Sequence, residues 1–442
     1  MANEAALDAV RHAALWFESG AGDLTPLIDA IGDARVVLIG EASHGTDEFY
    51  RIRADITRTL TEHHGFDIVA VEADWPDAYR ATRWVRHASA DGDAAAALRD
   101  FERFPRWMWR NEVVVDFLTW LRDFNSRRPP RRQCGFYGLD LYSLHSSIEA
   151  VLKYLDAVDP DGAHRARQRY ACFDDHRGDA QSYGYAATLG LSRNCEDDVV
   201  AQLMEMRRRA AEYASRDGHV AEEEFFVAEQ NARLVRNAEQ YYRSMFGGRT
   251  ESWNLRDTHM METLAALLQW VERRSGNARA VVWAHNSHLG DARATQMGEW
   301  GELNLGQLVR QQVGGESFSI GFTTHRGTVT AARDWGEPAE RRQVHPSLPG
   351  SYERLFHDTD LPRFLLLLRD RALAPVLRVS MLERAIGVIY QPETERASHY
   401  FRARLADQFD AVIHIDVTTA LTPLERWSVS EQDLPETYPT GV

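Results

Sequence analysis

Glu41 and His44, three positions apart in Gly40-Glu41-Ala42-Ser43-His44-Gly45-Thr46, set a carboxylate and an imidazole where the apolar run Val36-Val37-Leu38-Ile39 ends. A histidine near neutral pH takes a proton from water when a carboxylate fixes its tautomer and stabilises its charged form. His44 is the candidate base and Glu41 its partner; the alternative is a turn histidine bonded to its own backbone. Three further apolar runs end in the same way. Ile68-Val69-Ala70-Val71 stops at Glu72, with Asp74 and Trp75 just beyond, and Phe136-Tyr137-Gly138-Leu139 stops at Asp140. Ala280-Val281-Val282-Trp283-Ala284 stops at His285-Asn286-Ser287-His288. Four such endings point to one polar sheet edge, where ligands of open parallel sheets gather.

Arg53 lies about two helical turns beyond Thr46 on the same face, and helical side chains lean toward the N-terminus. Its guanidinium can reach back over the turn to an oxyanion or a substrate carbonyl, or it can sit in a surface ion pair with Asp47 or Glu48. His285 and His288 have the spacing of a metal pair, with His44 and Glu72 as further ligands. Two histidines of an acid-base system, one protonating a leaving group and one binding substrate, are the stronger reading. Trp75, Tyr79 and Trp253, with the cluster Phe104 to Arg110, can wall a pocket for a bulky apolar ligand, although aromatics at helical spacing also serve as core. No G-x-S-x-G elbow, G-x-x-x-x-G-K-[ST] loop, H-E-x-x-H or G-x-G-x-x-G occurs at a suitable junction, which leaves water as the nucleophile.

These residues need a scaffold of strands and helices. Phe49, Ile52, Ile56 and Leu60 recur at helical spacing behind Asp47 and Glu48, predicting a helix over 46–63 that Gly65 stops. Residues 36–74 then read as one βαβ crossover, with Glu41 and Glu72 leaving neighbouring parallel strands. Short strands are expected at 318–322, 328–331, 386–390 and 411–415. Between 143 and 275 the pattern is helical, with periodic stretches at Val199 to Ala214, Glu222 to Tyr242 and Leu255 to Val271. The runs Glu222-Glu223-Glu224 and Arg207-Arg208-Arg209 read as solvated helix faces. The fold class is α/β: a central mixed, largely parallel sheet flanked by helices, one domain over 1–442 with a helical insertion over 143–275.

The chain has 442 residues, 44% of them hydrophobic, which is enough for a large core. A formal charge of -15 argues against nucleic acid or an anionic membrane as partner. Three cysteines, Cys134, Cys172 and Cys195, with no C-x-x-C, fit a reducing cytoplasm. The opening Met1 to Leu7 carries an acid where a signal peptide carries bases, and Phe364-Leu365-Leu366-Leu367-Leu368 is too short to span a bilayer. The expectation is a cytoplasmic protein with a small-molecule ligand.

Taken together, Gly40 to Thr46, Val71-Glu72-Ala73-Asp74-Trp75, Trp253-Asn254-Leu255-Arg256-Asp257 and Trp283 to His288 resemble the erythromycin esterase family over most of the chain. Ser351-Tyr352-Glu353 and the tail from Ile386 to Leu421, including Pro392 to Tyr400, are similar to its broad bacterial branch. The resemblance implies a hydrolase that opens an ester or macrolactone with water and needs no metal or other cofactor. It implies His44 as general base, Glu41 and Glu72 as its orienting carboxylates, and His285 and His288 as further catalytic or positioning groups. Arg53 and Arg256 become oxyanion or substrate contacts, and Asp74, Trp75, Asp140 and Trp253 become candidates for the substrate-binding surround. Fold and chemistry carry over more readily than choice of ligand.

Overall fold

The central strand of the molecule, Val36–Ile39, is buried on both faces, which is why its sequence is a continuous apolar run and not an alternating one. Burying a side chain of this kind is worth about 1.5–3 kcal/mol. A computed structural model describes residues 2–18, 24–176, 180–191, 194–214, 218–246, 248–369 and 373–425; Met1 of the opening segment lies outside them. Among these residues the strands are β1 (Leu15–Trp16), β2 (Val36–Ile39), β3 (Ile68–Asp74), β4 (Gly135–Asp140), β5 (Ala280–Trp283), β6 (Ser317–Ala331), β7 (Glu340–Val344), β8 (Arg363–Leu367), β9 (Met381–Arg384), β10 (Tyr400–Ala403) and β11 (Ala411–Thr418). One sheet runs β1-β8-β11-β6-β2-β5-β3-β4, with β7 added to β6, and β9 and β10 form a separate antiparallel pair. β2 is parallel to β5 and β6, and β6 to β11; β8 and β1 continue antiparallel at one edge. The sheet is mixed and largely parallel at its centre, as the sequence implies, and Phe364 to Leu366 are buried strand.

The helix Asp47–His63 buries Phe49, Ile52, Ile56 and Leu60, as their spacing predicts. Gly65, at a φ of 71°, takes the chain out of it. Three details of the sequence reading need correction. β5, from more than 200 positions later in the chain, lies between β2 and β3, so Glu41 and Glu72 do not leave neighbouring strands. The two strands expected at 318–322 and 328–331 are the single strand β6, which changes partner at Gly327 from β11 to β7. A Cβ at Gly327 would lie 2.0 Å from Thr418 O, so a larger residue there would break the strand. Residues 386–390 form no strand, because their ends bridge different partners, Ile386 to Ser43 and Ile389 to Ala332.

The chain divides into two compact units. The first comprises residues 1–70, 80–136 and 277–442, and the second 71–79 and 137–276. β3 and β4 begin in the first and finish in the second. The second unit is helical after β4, with long helices at Gly218–Ser244 and Arg249–Ser275. There Cys172 and Cys195 form a disulfide with Cα atoms 6.0 Å apart, leaving Cys134 as the free, buried thiol. Cysteine spacing alone did not show this pair, and the expectation of a reducing compartment rested on that spacing. Among the described residues no helix is long and apolar enough to cross a membrane.

Gly45 is packed so that a Cβ would fall 1.8 Å from Thr330 O. Gly45→Ala should therefore destabilise the fold by on the order of 3 kcal/mol, read as a drop in the urea midpoint, whereas Gly92→Ala, with nothing within 4 Å, should leave it unchanged. Equal midpoints for the two variants contradict the packing. On β9, Glu383 is fully buried, and that burial, reinforced by the charge of Glu353, pushes its carboxyl well above the ordinary 4.5. Above that ordinary value the folded chain holds a proton that the unfolded chain releases, so this group's contribution falls as pH rises toward the folded pKa. Glu383→Gln should gain thermal stability relative to the parent as pH rises above about 5; a difference that does not change with pH refutes the raised pKa.

Candidate active site

Residues 40–46 follow β2 as a loop bonded on both sides. Gly40 N–H donates to Ile320 O at 2.8 Å, and Gly45 O accepts from Thr330 N–H at 3.0 Å and Leu421 N–H at 2.9 Å. Between them Ile386 N–H donates to Ala42 O at 2.8 Å, and Ser43 Oγ bonds Thr46 Oγ1. Neither Gly40 nor Gly45 is among the positive-φ glycines. They serve close approach instead of turn geometry: a Cβ on Gly40 would lie 2.2 Å from Asn286 Oδ1. Asn286 accordingly fits against the loop, its backbone N–H donating to Glu41 O and its side chain to Phe322 O, both at 2.8 Å. A loop so tied keeps its side chains in place.

His44, 7% exposed, has its Nδ1 2.8 Å from Glu41 Oε1. The other carboxylate oxygen, Oε2, is 3.0 Å from Arg53 Nη1, and both side chains are fully buried. That distance is an ion pair's, but the groups do not meet at hydrogen-bond angles. The guanidinium also lies over two rings, 4.2 Å from the centroid of Tyr50 and 5.0 Å from that of Trp283, so charge and aromatic faces hold it more than directed bonds. Across from this chain of groups the ring of His285 is 4.9 Å from that of His44. His285 caps the short helix Asn286–Leu289, its Nδ1 2.9 Å from Ser287 Oγ, and His288 is buried within that helix. An imidazole with Nδ1 tied to a carboxylate has Nε2 left for proton transfer.

The second unit carries its own polar group. Arg256 donates from Nη2 to Glu72 Oε1 at 2.7 Å and, bidentately, to Asp140 at 2.6 and 3.0 Å, with its guanidinium 5.0 Å from the Tyr142 ring centroid. Burial alone would push the Asp140 carboxyl up, but the charge and hydrogen bonds of Arg256 outweigh it and hold it below the ordinary value. Asp74 accepts the Tyr142 N–H at 2.8 Å. Trp75 packs between Tyr79, Tyr137 and Phe226, and Trp253 is half-buried on the helix Arg249–Ser275.

Residues 61–418 match the erythromycin esterase family. The chain belongs to that family. It is 23% identical to erythromycin esterase type II of Escherichia coli, over 70% of this chain and 73% of that protein. Its fold is that of a Bacillus cereus protein, with a TM-score of 0.77, 18% identity and coverage of 96% of this chain and 100% of that one. It is also that of an erythromycin esterase mutant in an open conformation, with a TM-score of 0.67, 16% identity and coverage of 91% and 95%.

In this member of the family, Glu41, His44, Arg53 and His285 come together in the first unit, and Glu72, Asp140 and Arg256 in the second. Arg53 is neither a surface ion pair nor a side chain exposed to a ligand. At 0% exposure it acts on Glu41, because the buried carboxylate needs a counter-charge more than the surface does. Arg256 is likewise committed to two acids. Two residues escaped the sequence reading. Asn286, between His285 and His288, clamps the loop through Glu41 O and Phe322 O; a polar amide directly after a buried strand was the available signal. Tyr142, two positions after Asp140, lies beneath Arg256; an aromatic so close to a strand-end acid was the available signal.

Removing the counter-charge leaves the Glu41 carboxylate buried with its bond to His44 but without the Arg53 charge. Arg53→Met should cost about 3–5 kcal/mol, and adding Glu41→Gln to it should recover part of that loss in a double-mutant cycle. Strictly additive denaturation midpoints would show that the two residues are not coupled.

Proposed function

We propose that this chain hydrolyses an ester or macrolactone with water activated by His44, without a metal. The observation that carries the reading is the relay from Arg53 through Glu41 to His44 Nδ1, held in a loop that is bonded on both sides. With Glu41 accepting at Nδ1, His44 Nε2 is the basic atom and faces the attacking water. Water adds to the acyl carbon as its proton passes to Nε2, giving a tetrahedral intermediate with charge on the former carbonyl oxygen. As that intermediate collapses, the C–O bond to the leaving alkoxide breaks and the alkoxide takes a proton from the imidazolium. The products are a carboxylic acid and an alcohol, joined within one molecule when the substrate is a lactone. Glu41 stabilises the imidazolium while it exists, and Arg53 balances the carboxylate once the proton has moved on.

His285, in ring contact with His44, is the proposed second histidine, positioning substrate or returning the proton to the leaving oxygen; His288 supports the same helix turn. Membership of the erythromycin esterase family favours this chemistry over simple sequestration of a ligand; Arg256, held by Glu72 and Asp140, is proposed with Asp74, Trp75, Asp140 and Trp253 as the substrate-binding surround. Macrolactones are the first substrates to try, simple esters and smaller lactones the next.

Mass spectrometry of the purified protein with such a panel should show a product heavier than its substrate by one water for a lactone. His44→Ala should lower turnover by ~10²–10⁴-fold, and Glu41→Gln should lower kcat more than it raises KM. Undiminished turnover in His44→Ala removes the base from the mechanism, and ligand-induced thermal stabilisation with no product anywhere in the panel favours a binding protein.

A further inference from the structure

A second cluster of chemistry-bearing side chains occupies the face of the sheet where β6 meets β11. Their parallel register sets Thr323 beside His414 and Thr324 beside Ile415, so the next pair along is His325 with Asp416. Side chains alternate along a strand, and Thr323, His325, His414 and Asp416 therefore emerge on one face. The helix Tyr352–His357 brings its last residue to that face. The His357 ring stacks on His325 with centroids 3.7 Å apart and planes 6° from parallel, and its Nδ1 is 2.7 Å from Asp416 Oδ1. One ligand-capable atom from each of His325, His357 and Asp416 lies within 4.8 Å of the other two.

We propose that His325, His357 and Asp416 bind a divalent transition metal of the zinc class, at a site sharing no residue with the Glu41, His44 and His285 group. Two imidazoles and a carboxylate are a borderline nitrogen and oxygen donor set, suited to zinc or cobalt and poorly suited to calcium or magnesium. Bonds of about 2.0–2.2 Å in a tetrahedron hold donor atoms about 3.4 Å apart, so the site is completed when the donor atoms draw in by up to about 1.4 Å and the stacked His325 and His357 rings turn their in-plane nitrogens toward the ion. The fourth position is left for water.

The surroundings favour the forms that bind metal. Burial, together with the neighbouring His357, lowers His325 to about 4, and burial lowers His414 as well. Burial works to raise Asp416, but hydrogen bonds from His414 and His357 outweigh it and lower the carboxyl below its ordinary range. His325 is thus a neutral imidazole and Asp416 an anion at neutral pH, as ligation requires. The supporting contacts orient the same atoms. His325 Nδ1 is 2.6 Å from Ser347 Oγ, and the Ser347 N–H is shared between His325 O at 2.9 Å and Nδ1 at 3.3 Å, so the ring is fixed at Nδ1 with Nε2 on its far side. His414 Nδ1 is held 2.9 Å from Thr323 Oγ1, and its Nε2 lies 3.6 Å from Asp416 Oδ1, steadying the carboxylate. The nearest guanidinium charges are matched by acids, Arg384 by Glu395 at 3.1 Å and Arg354 by Asp358 at 2.9 Å. The side chains of His357 and Asp416 are 34% and 18% exposed, which gives an ion a way in.

Tag-free full-length protein, stripped with chelator and dialysed, is titrated with Zn²⁺ by calorimetry and with Co²⁺ by visible absorption. One tight equivalent of Zn²⁺ per chain is expected, with tetrahedral cobalt bands and a zinc-dependent rise in Tm. His357→Ala and Asp416→Asn should each weaken binding by at least ~10-fold and remove the rise in Tm. His44→Ala should bind as the parent does. His357 is partly exposed, so its variant should fold even where His325→Gln does not, and circular dichroism checks both. Absence of a stoichiometric site in the folded parent overturns the proposal, as does binding untouched by His357→Ala and Asp416→Asn or binding lost in His44→Ala.

Discussion

A buried carboxylate with too little water around it must be compensated, and Glu41 is the carboxylate on which this structure turns. One of its oxygens holds the imidazole of His44 and the other lies against Arg53. Each requirement shapes a different part of the chain. Arg53 has to sit on the inner face of its helix, which places a charge among Phe49, Ile52 and Ile56 and recruits the rings of Tyr50 and Trp283 to surround it. His44 has to stay within 2.8 Å of Glu41, which demands a loop with no slack.

That second demand explains the neighbourhood of the loop. Its two glycines and the amide of Asn286 behave as fitted parts, since the Asn286 amide oxygen at Gly40 and the Thr330 carbonyl oxygen at Gly45 occupy the space where side chains would be. β6 supplies partners at both ends of the loop, Ile320 near its start and Thr330 near its end. A strand long enough to do both cannot be interrupted, and Gly327 is the residue that lets it continue past Thr418.

Much of this was legible in the sequence because the signals were local. The 47–63 helix follows from apolar spacing, and the strand-end acids and histidines from apolar runs that stop abruptly. What was not legible depended on residues far apart in the chain. Nothing within 36–74 announces that β5 will enter between its two strands, and nothing near Arg53 says that its charge belongs inside. The segment 386–390 has strand composition but two unrelated partners, a fact carried by Ser43 and Ala332. Cys172 and Cys195 are paired by the folding of helices whose spacing shows only periodicity. The face bearing His325 and Asp416 likewise exists only once β6 and β11 are in register.

The bonds that close the loop of Glu41 and His44 also set an order of events during synthesis. Glu48, just past the loop, accepts from Thr419, 371 positions further along the chain, and Gly45 O accepts from Leu421. At 5–20 residues per second the ribosome needs roughly 20–75 s to deliver those partners. For that interval the nascent chain has its histidine and carboxylate but not the walls that hold them. The geometry of Glu41 and His44, written in the first tenth of the sequence, is therefore completed only after the segment that follows β11 has emerged.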